Sequence, residues 1–189
     1  MKREFKFKSI NISWITILFI VSCNLSFPIG VSCPIEDLLI VSSNLPGNQW
    51  EEIGSRSYRD VPSKLGINRI GTSFSTPTYG IAIEDVFKFS NETEAKAGYI
   101  ELAERWFGLE PEGTSWKKLN FPFDEMVNAS EYRLECSVRP AHSNRTCWYI
   151  ARYQNLVIEF KVDMLIVNDQ DLFMILDVID QNVQACTGS

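Results

Sequence analysis

Hydrophobic side chains recur along this chain in two periods, with polar segments between them. In GIAIEDVFKF (residues 80–89), Ile81, Ile83, Phe87 and Phe89 fall on alternate positions, which predicts a strand with one apolar face. INRIGTSFS (residues 67–75) reads as the strand before it. The period then changes. Tyr99, Ala103, Trp106 and Phe107 share one face of a helix that Asn91 and Glu94 open as a capping box and Gly108 closes. EYRLECSVRPAHSNRTCWYIARY (residues 131–153) holds two strand-like runs around the turn-forming Pro-Ala-His-Ser-Asn. Tyr153-Gln154-Asn155 turns the chain into LVIEFKVDML, where Leu156, Ile158, Phe160 and Val162 alternate with Val157, Glu159 and Lys161. A last helix is predicted where Leu172, Phe173, Leu176, Ile179 and Val183 recur at helical spacing, with Asn168 or Asp169 as its cap.

The remaining segments read less regularly. Pro34 at a first helical position predicts a short helix carrying Leu38, Leu39 and Val41, which Pro46-Gly47 ends before Trp50. Residues 51–68 are polar, with Gly54, Pro62 and Gly66, and read as an exposed loop; residues 111–122 read as a connection. The order of helix, strands, helix, strands, helix predicts an α+β fold: an antiparallel sheet of about five strands flanked by helices. At 189 residues, 45% hydrophobic and 22% charged, the chain suits one domain with its own core. No internal repeat or low-complexity tract interrupts it.

The start of the chain is different. Lys2, Arg3, Lys6 and Lys8 form a basic head, and residues 10–21 are apolar apart from Asn11, Ser13 and Thr16. This predicts a secretory signal over residues 1–22, because a spanning helix needs about 20 apolar residues and Pro28, Gly30 and Pro34 stop the run from extending. The signal holds four of the 18 basic and one of the 24 acidic residues, so the mature part carries 14 and 23, a net charge of −9. Such a domain is repelled by nucleic acid and by anionic headgroups, which disfavours both as partners.

The five cysteines set the address. Ile20-Val21-Ser22-Cys23 resembles the bacterial lipobox, in which the cysteine is acylated before cleavage; Cys23 is then the lipidation site and residues 23–33 form a short tether to a domain over residues 34–189. Gly30-Val31-Ser32-Cys33 fits that pattern less well, since it opens with Gly and lies beyond the apolar run. Acylating Cys23 leaves Cys33, Cys136, Cys147 and Cys186 as an even set for an oxidising compartment. Ordinary cleavage after Ser32 leaves the same four in a secreted soluble protein, so that alternative stays open. A hairpin register facing Cys136 with Cys147 also faces Leu134 with Tyr149 and Val138 with Arg145, and leaves Cys33 to Cys186. Sequons at Asn24, Asn91, Asn128 and Asn144 favour a different address, a eukaryotic glycoprotein, although Asn91 already has a capping role.

Residues that could carry chemistry are few. His142, in the hairpin turn, is the sole histidine, and no Gly-x-Ser-x-Gly, Cys-x-x-Cys, His-Glu-x-x-His, EF-hand or phosphate-loop pattern occurs. No cofactor and no metal are expected. Asp169, Asp171, Asp177 and Asp180 could be offered as an oxygen-rich site, but the first two sit where a helix start favours negative charge. Glu135 and Glu159, on strands expected to be neighbours, or Glu101 and Glu104 on the helix, could serve a carboxylate-based hydrolase. Trp50, Trp106, Trp116, Trp148, Tyr149 and Tyr153 could line a ligand groove. Of these Trp106 is expected in the core and Trp116 exposed.

Taken together, IEDLLIVSSNLPGNQWEE, DVFKFSNETEAKAGYIELAERWF, YRLECSV, RTCWYIARYQNLVIEFKV and ILDVIDQNVQ resemble small bacterial extracytoplasmic lipoprotein domains of uncharacterised function. The same segments are distantly similar to the extracellular sensor domain of mycobacterial serine/threonine kinases. That resemblance implies an antiparallel sheet flanked by helices, held by two disulfides, that binds a small molecule or a protein. It carries over no catalytic residue, and no kinase domain accompanies it. The expectation is therefore an extracytoplasmic, lipid-anchored binding or sensor-like module without enzymatic activity. The alternatives are a secreted carboxylate-based hydrolase and a structural component of an envelope assembly.

Overall fold

In the computed structural model, residues 33–47, 49–58, 68–78, 80–108, 115–119, 128–138, 145–165 and 167–187 are described. The signal segment, Cys23, Asn24, His142 and Asn144 lie outside them. The elements are β1 (Glu51–Tyr58), β2 (Asn68–Ser75), β3 (Ile81–Lys88), α1 (Glu92–Phe107), β4 (Ser115–Lys118), β5 (Glu131–Val138), β6 (Thr146–Tyr153), β7 (Leu156–Asp163) and α2 (Asp169–Thr187). All seven strands join one sheet in the order β1-β2-β3-β7-β6-β5-β4, and every pair is antiparallel. Two meanders thus meet at the centre, where β3 pairs with β7.

The sheet is larger than the five strands expected, because both of its edges lie in segments whose sequence has the polar character of loops. β1 lies within the segment expected to be exposed, and β4 within the expected connection. Each pairs on one side only, so neither needs the alternation that marks an inner strand. β1 also carries a bulge between Glu52 and Gly54, which breaks its period.

Each face of the sheet is covered by one helix. On one side Phe74, Val86, Tyr149, Ile158 and Phe160 pack with Leu172, Ile175, Leu176, Ile179 and Val183 of α2. On the other, Phe87, Phe89, Ile150 and Val157 pack with Ala95, Leu102, Ala103 and Phe107 of α1. The consecutive buried residues of β7 follow, since a central strand covered on both faces has no solvent side.

α1 forms as its sequence predicts: Asn91 Oδ1 accepts from Glu94 N at 2.9 Å, and Gly108 ends the helix. Gly98 lets it approach the sheet, because a Cβ there would collide with the Phe89 ring. In α2, Asn168 Oδ1 accepts from Asp171 N at 2.9 Å and Asp171 Oδ2 accepts from Asn168 N at 3.1 Å, so Asn168 is the cap.

The helix expected from Pro34 does not form as one element. It is two 3-10 turns, Ile35–Leu38 and Ser42–Asn44, separated by extended backbone at Leu39 and Val41. The reason is tertiary. Ile40 N donates to Glu84 Oε2 at 2.7 Å, which takes it out of any helical ladder, and Val41 N donates to Asn44 Oδ1 at 2.8 Å.

Two disulfides hold this arrangement, Cys33–Cys186 and Cys136–Cys147. The hairpin register sets Leu134 opposite Tyr149 and Cys136 opposite Cys147. No helix among the described residues is long and apolar enough to cross a membrane.

Candidate functional site

The two helices cover their faces unequally. α1 lies over β6 and β7, which leaves the β2–β3 part of its face uncovered and opens a groove of about 350 Å³ beside the helix. Alternation along the strands decides what reaches it. β2 contributes Arg69, Gly71 and Ser73, β3 contributes Ile83, Asp85 and Phe87, and β7 contributes Glu159 and Lys161. Leu102, Arg105 and Trp106 of α1 form the wall, with Trp148 of β6 behind them.

Register places two carboxylates side by side on the floor, since Asp85 of β3 is directly opposite Glu159 of β7. Arg69 engages Asp85 through both oxygens, with Nε to Oδ1 at 3.1 Å and Nη2 to Oδ2 at 2.7 Å. Gly71 makes room for that pair, because a Cβ there would collide with Asp85 Oδ1. Glu159 makes no ion pair among the described residues and accepts instead from Trp148 Nε1 at 2.9 Å. Burial pushes its carboxyl above the usual range, the Trp148 hydrogen bond opposes that, and the Asp85 charge adds to it.

The aromatic wall is ordered by mutual packing. Trp106 stacks on Trp148 with ring centroids 4.3 Å apart, and Trp116 meets Trp148 edge-on at 5.9 Å. Lys161 Nζ sits 5.0 Å from the centre of the Trp148 ring and makes no ion pair among the described residues. Trp106 Nε1 is buried with no partner at hydrogen-bonding distance among the described residues, although its N–H is close enough to the Glu159 carboxylate to favour the charged form. Arg105, at the mouth, pairs with Glu101 of its own helix at 3.1 Å.

These positions revise the candidate residues. Glu135 and Glu159 are not on neighbouring strands, because β6 lies between β5 and β7. Glu135 instead accepts from Arg133 Nε at 2.6 Å, opposite Trp148 in the register. Trp106 and Trp148 reach the groove. Trp50 is buried in the α2-side core and donates to Pro46 O at 2.9 Å, while Tyr149 and Tyr153 are buried on that side with their hydroxyls 3.1 Å apart. Trp116 is not exposed in a loop; it sits on β4 with its Nε1 buried and its ring edge-on to Phe107. Glu101 and Glu104 lie on the outer side of α1.

The four aspartates of α2 have separate partners. Asp169 pairs with Arg145 at 2.9 Å, Asp171 completes the cap, and Asp177 accepts from Gln181 at 2.8 Å. Asp180 is buried and accepts from Asn128 N, Asn128 Nδ2 and Gln184 Nε2. The sequence reading missed Asp85, Arg69 and Lys161. Only the alternation of β2, β3 and β7 could have placed them on one face, and only if the β3–β7 pairing had been known.

On the opposite face Glu84 is fully buried. Burial pushes its pKa up to about 8, against the hydrogen bond from Ile40 N. Its Oε1 has no hydrogen-bond partner among the described residues.

No family model matches the chain, and no curated protein matches it. Among solved structures, the extracellular domain of PknH from Mycobacterium tuberculosis superposes with a TM-score of 0.58 at 11% sequence identity, covering 78% of this chain and 93% of that one. A putative uncharacterised protein from Mycobacterium smegmatis gives a TM-score of 0.47 at 9% identity, covering 81% of this chain and 98% of that one. The distant similarity to the mycobacterial kinase sensor domain is thus a similarity of fold.

Proposed function

We infer that this chain is an extracytoplasmic, sensor-like binding module whose ligand occupies the groove between α1 and the β2–β3–β7 floor, and that a lipid on Cys23 holds it at the membrane. The observation that carries the reading is the groove itself. It is a recess walled by stacked indoles and floored by a few fixed polar groups, the usual make-up of a small-molecule site. Two disulfides support an oxidising compartment. The fold shared with an extracellular domain agrees with that placement. Binding without turnover is the simpler chemistry here, because Arg69 already commits both oxygens of Asp85.

One observation favours a second reading, a carboxylate-based hydrolase. Asp85 and Glu159 are adjacent on the floor of a recess, and Glu159 is held toward its neutral form. A single pair of experiments separates the two. Small-molecule mixtures added to the isotope-labelled mature chain are expected to shift the indole N–H signals of Trp106 and Trp148. Hits that shift only α2-side signals would overturn the groove assignment. Release of product from any hit, lost in Glu159→Gln, would replace binding with hydrolysis. Mass spectra of the protein taken from its native membranes are expected to begin at an acylated Cys23, and a chain beginning at Cys33 would discard the anchor.

A further inference from the structure

Charge bookkeeping in the groove leaves a specific remainder. Arg69 is matched by Asp85, and Arg105 by Glu101. Lys161 is matched by no carboxylate among the described residues, and its Nζ lies against the Trp148 face. Glu159, its neighbour two positions along β7, accepts from an indole and is held toward neutrality by burial. The groove therefore offers one unmatched positive charge at the aromatic wall and, beside it, hydroxyl and carboxylate groups on the floor.

Each feature narrows the ligand class. An ammonium compound meets Arg69, Arg105 and Lys161 together, and the carboxylate best placed to receive it is the one already held by Arg69. A polyphosphate brings several negative charges to a groove with one unmatched cation, next to an Asp85 carboxylate that already holds Arg69. A purely apolar acid would satisfy Lys161 but would cover Ser73 and the remaining acceptor positions of Asp85 and Glu159 without giving them donors. A hydroxyl-rich ring supplies donors to the carboxylates and presents its C–H face to the electron-rich indole face of the wall.

We propose that the groove binds an acidic saccharide, its ring against the Trp106 side of the wall, its hydroxyls on Asp85, Glu159 and Ser73, and its carboxylate on Lys161. This rests on the groove being the binding site, and the test keeps the two claims apart. Glucuronate, glucose and benzoate are titrated at equal ionic strength into the full mature chain, read by the indole N–H signals of its tryptophans. Glucuronate is expected to shift Trp106 and Trp148 and to bind about tenfold more tightly than glucose, a difference of about 1.4 kcal/mol. Lys161→Met is expected to erase that preference and Lys161→Arg to restore it, with unchanged thermal midpoints showing that both variants fold. Equal binding of glucose and glucuronate would overturn the acidic part. Benzoate binding with neither sugar, or no shift with any of the three while another compound shifts the same indoles, would overturn the saccharide class and leave the groove standing. Glucuronate shifts confined to the α2 face would overturn both.

Discussion

Asp85 and Glu159 stand directly opposite each other across β3 and β7, the pairing at which the two meanders of the sheet are joined. Like charges in opposed positions destabilise a sheet, so this pair persists because Arg69 matches one member and burial holds the other toward neutrality. Arg69→Met is expected to lower stability by about 1–2 kcal/mol, between the values for exposed and for buried ion pairs, because Arg69 is partly exposed and Asp85 largely buried. It is also expected to raise the Glu159 carboxyl further, since Arg69 is one of the groups that favour its charged form. The double variant Arg69→Met/Asp85→Asn should lose less than the sum of the two single changes in urea denaturation.

Glu84 makes the fold sensitive to alkali. Its folded pKa of about 8 lies above the ordinary value of 4.5, so the folded chain holds a proton that the unfolded chain has released between those limits. The stability tied to that proton is complete below about pH 4.5 and is lost as pH rises through about 8, by on the order of a few kcal/mol. Urea midpoints should therefore fall between pH 5 and pH 9 for the native chain. Glu84→Gln, which keeps an acceptor for Ile40 N, should match the native chain at pH 5 and exceed it at pH 9. Parallel midpoints at both values would show that Glu84 does not titrate in this range.

What the sequence disclosed follows from where its signals are local. The α1 cap, the β5–β6 hairpin with its disulfide and the helical spacing of α2 all involve residues close in the chain, and each was legible. β1 and β4 were not, because edge strands lack the burial that imposes alternation. The sequence of β3 shows one apolar face, yet Ala82, Glu84 and Val86 on its other face are fully buried, and the carboxylate among them hides that face. The groove failed for a topological reason. Neighbours in the sheet follow sequence within each meander, but β3 and β7 meet across some seventy residues, and no period announces that pairing.

Gly98 should reverse the usual helix rule. Exchanging an exposed helical Gly for Ala gains about 1 kcal/mol of helix propensity, but here the added methyl meets the Phe89 ring that packs under α1. Overpacking of this kind costs about 1–3 kcal/mol, so Gly98→Ala is expected to be net destabilising by thermal melting. Phe89→Leu in the same chain should recover part of the loss. A stabilised Gly98→Ala would mean that the helix rides further from the sheet.

The two disulfides should differ in what they contribute, because they close loops of very different length. Cys33–Cys186 spans 153 positions and Cys136–Cys147 spans 11. In the chain-entropy account the long loop is worth about 5 kcal/mol and the short one about 3 kcal/mol. Replacing Cys33 and Cys186 with Ser is thus expected to cost more in denaturant than replacing Cys136 and Cys147. The short bridge sits between strands whose register the sheet already fixes, and Leu134 opposite Tyr149 keeps that register without it. The long bridge instead ties the segment bearing Leu38 and Ile40 to the end of α2, and Asn182 Nδ2 donating to Leu38 O at 3.4 Å is a weak substitute. Loss of Cys33–Cys186 should therefore also speed amide exchange at Ile40, whose N–H is held by Glu84, before the sheet itself exchanges. Equal losses for the two pairs, with Ile40 still protected, would show that packing alone seats the amino-terminal segment.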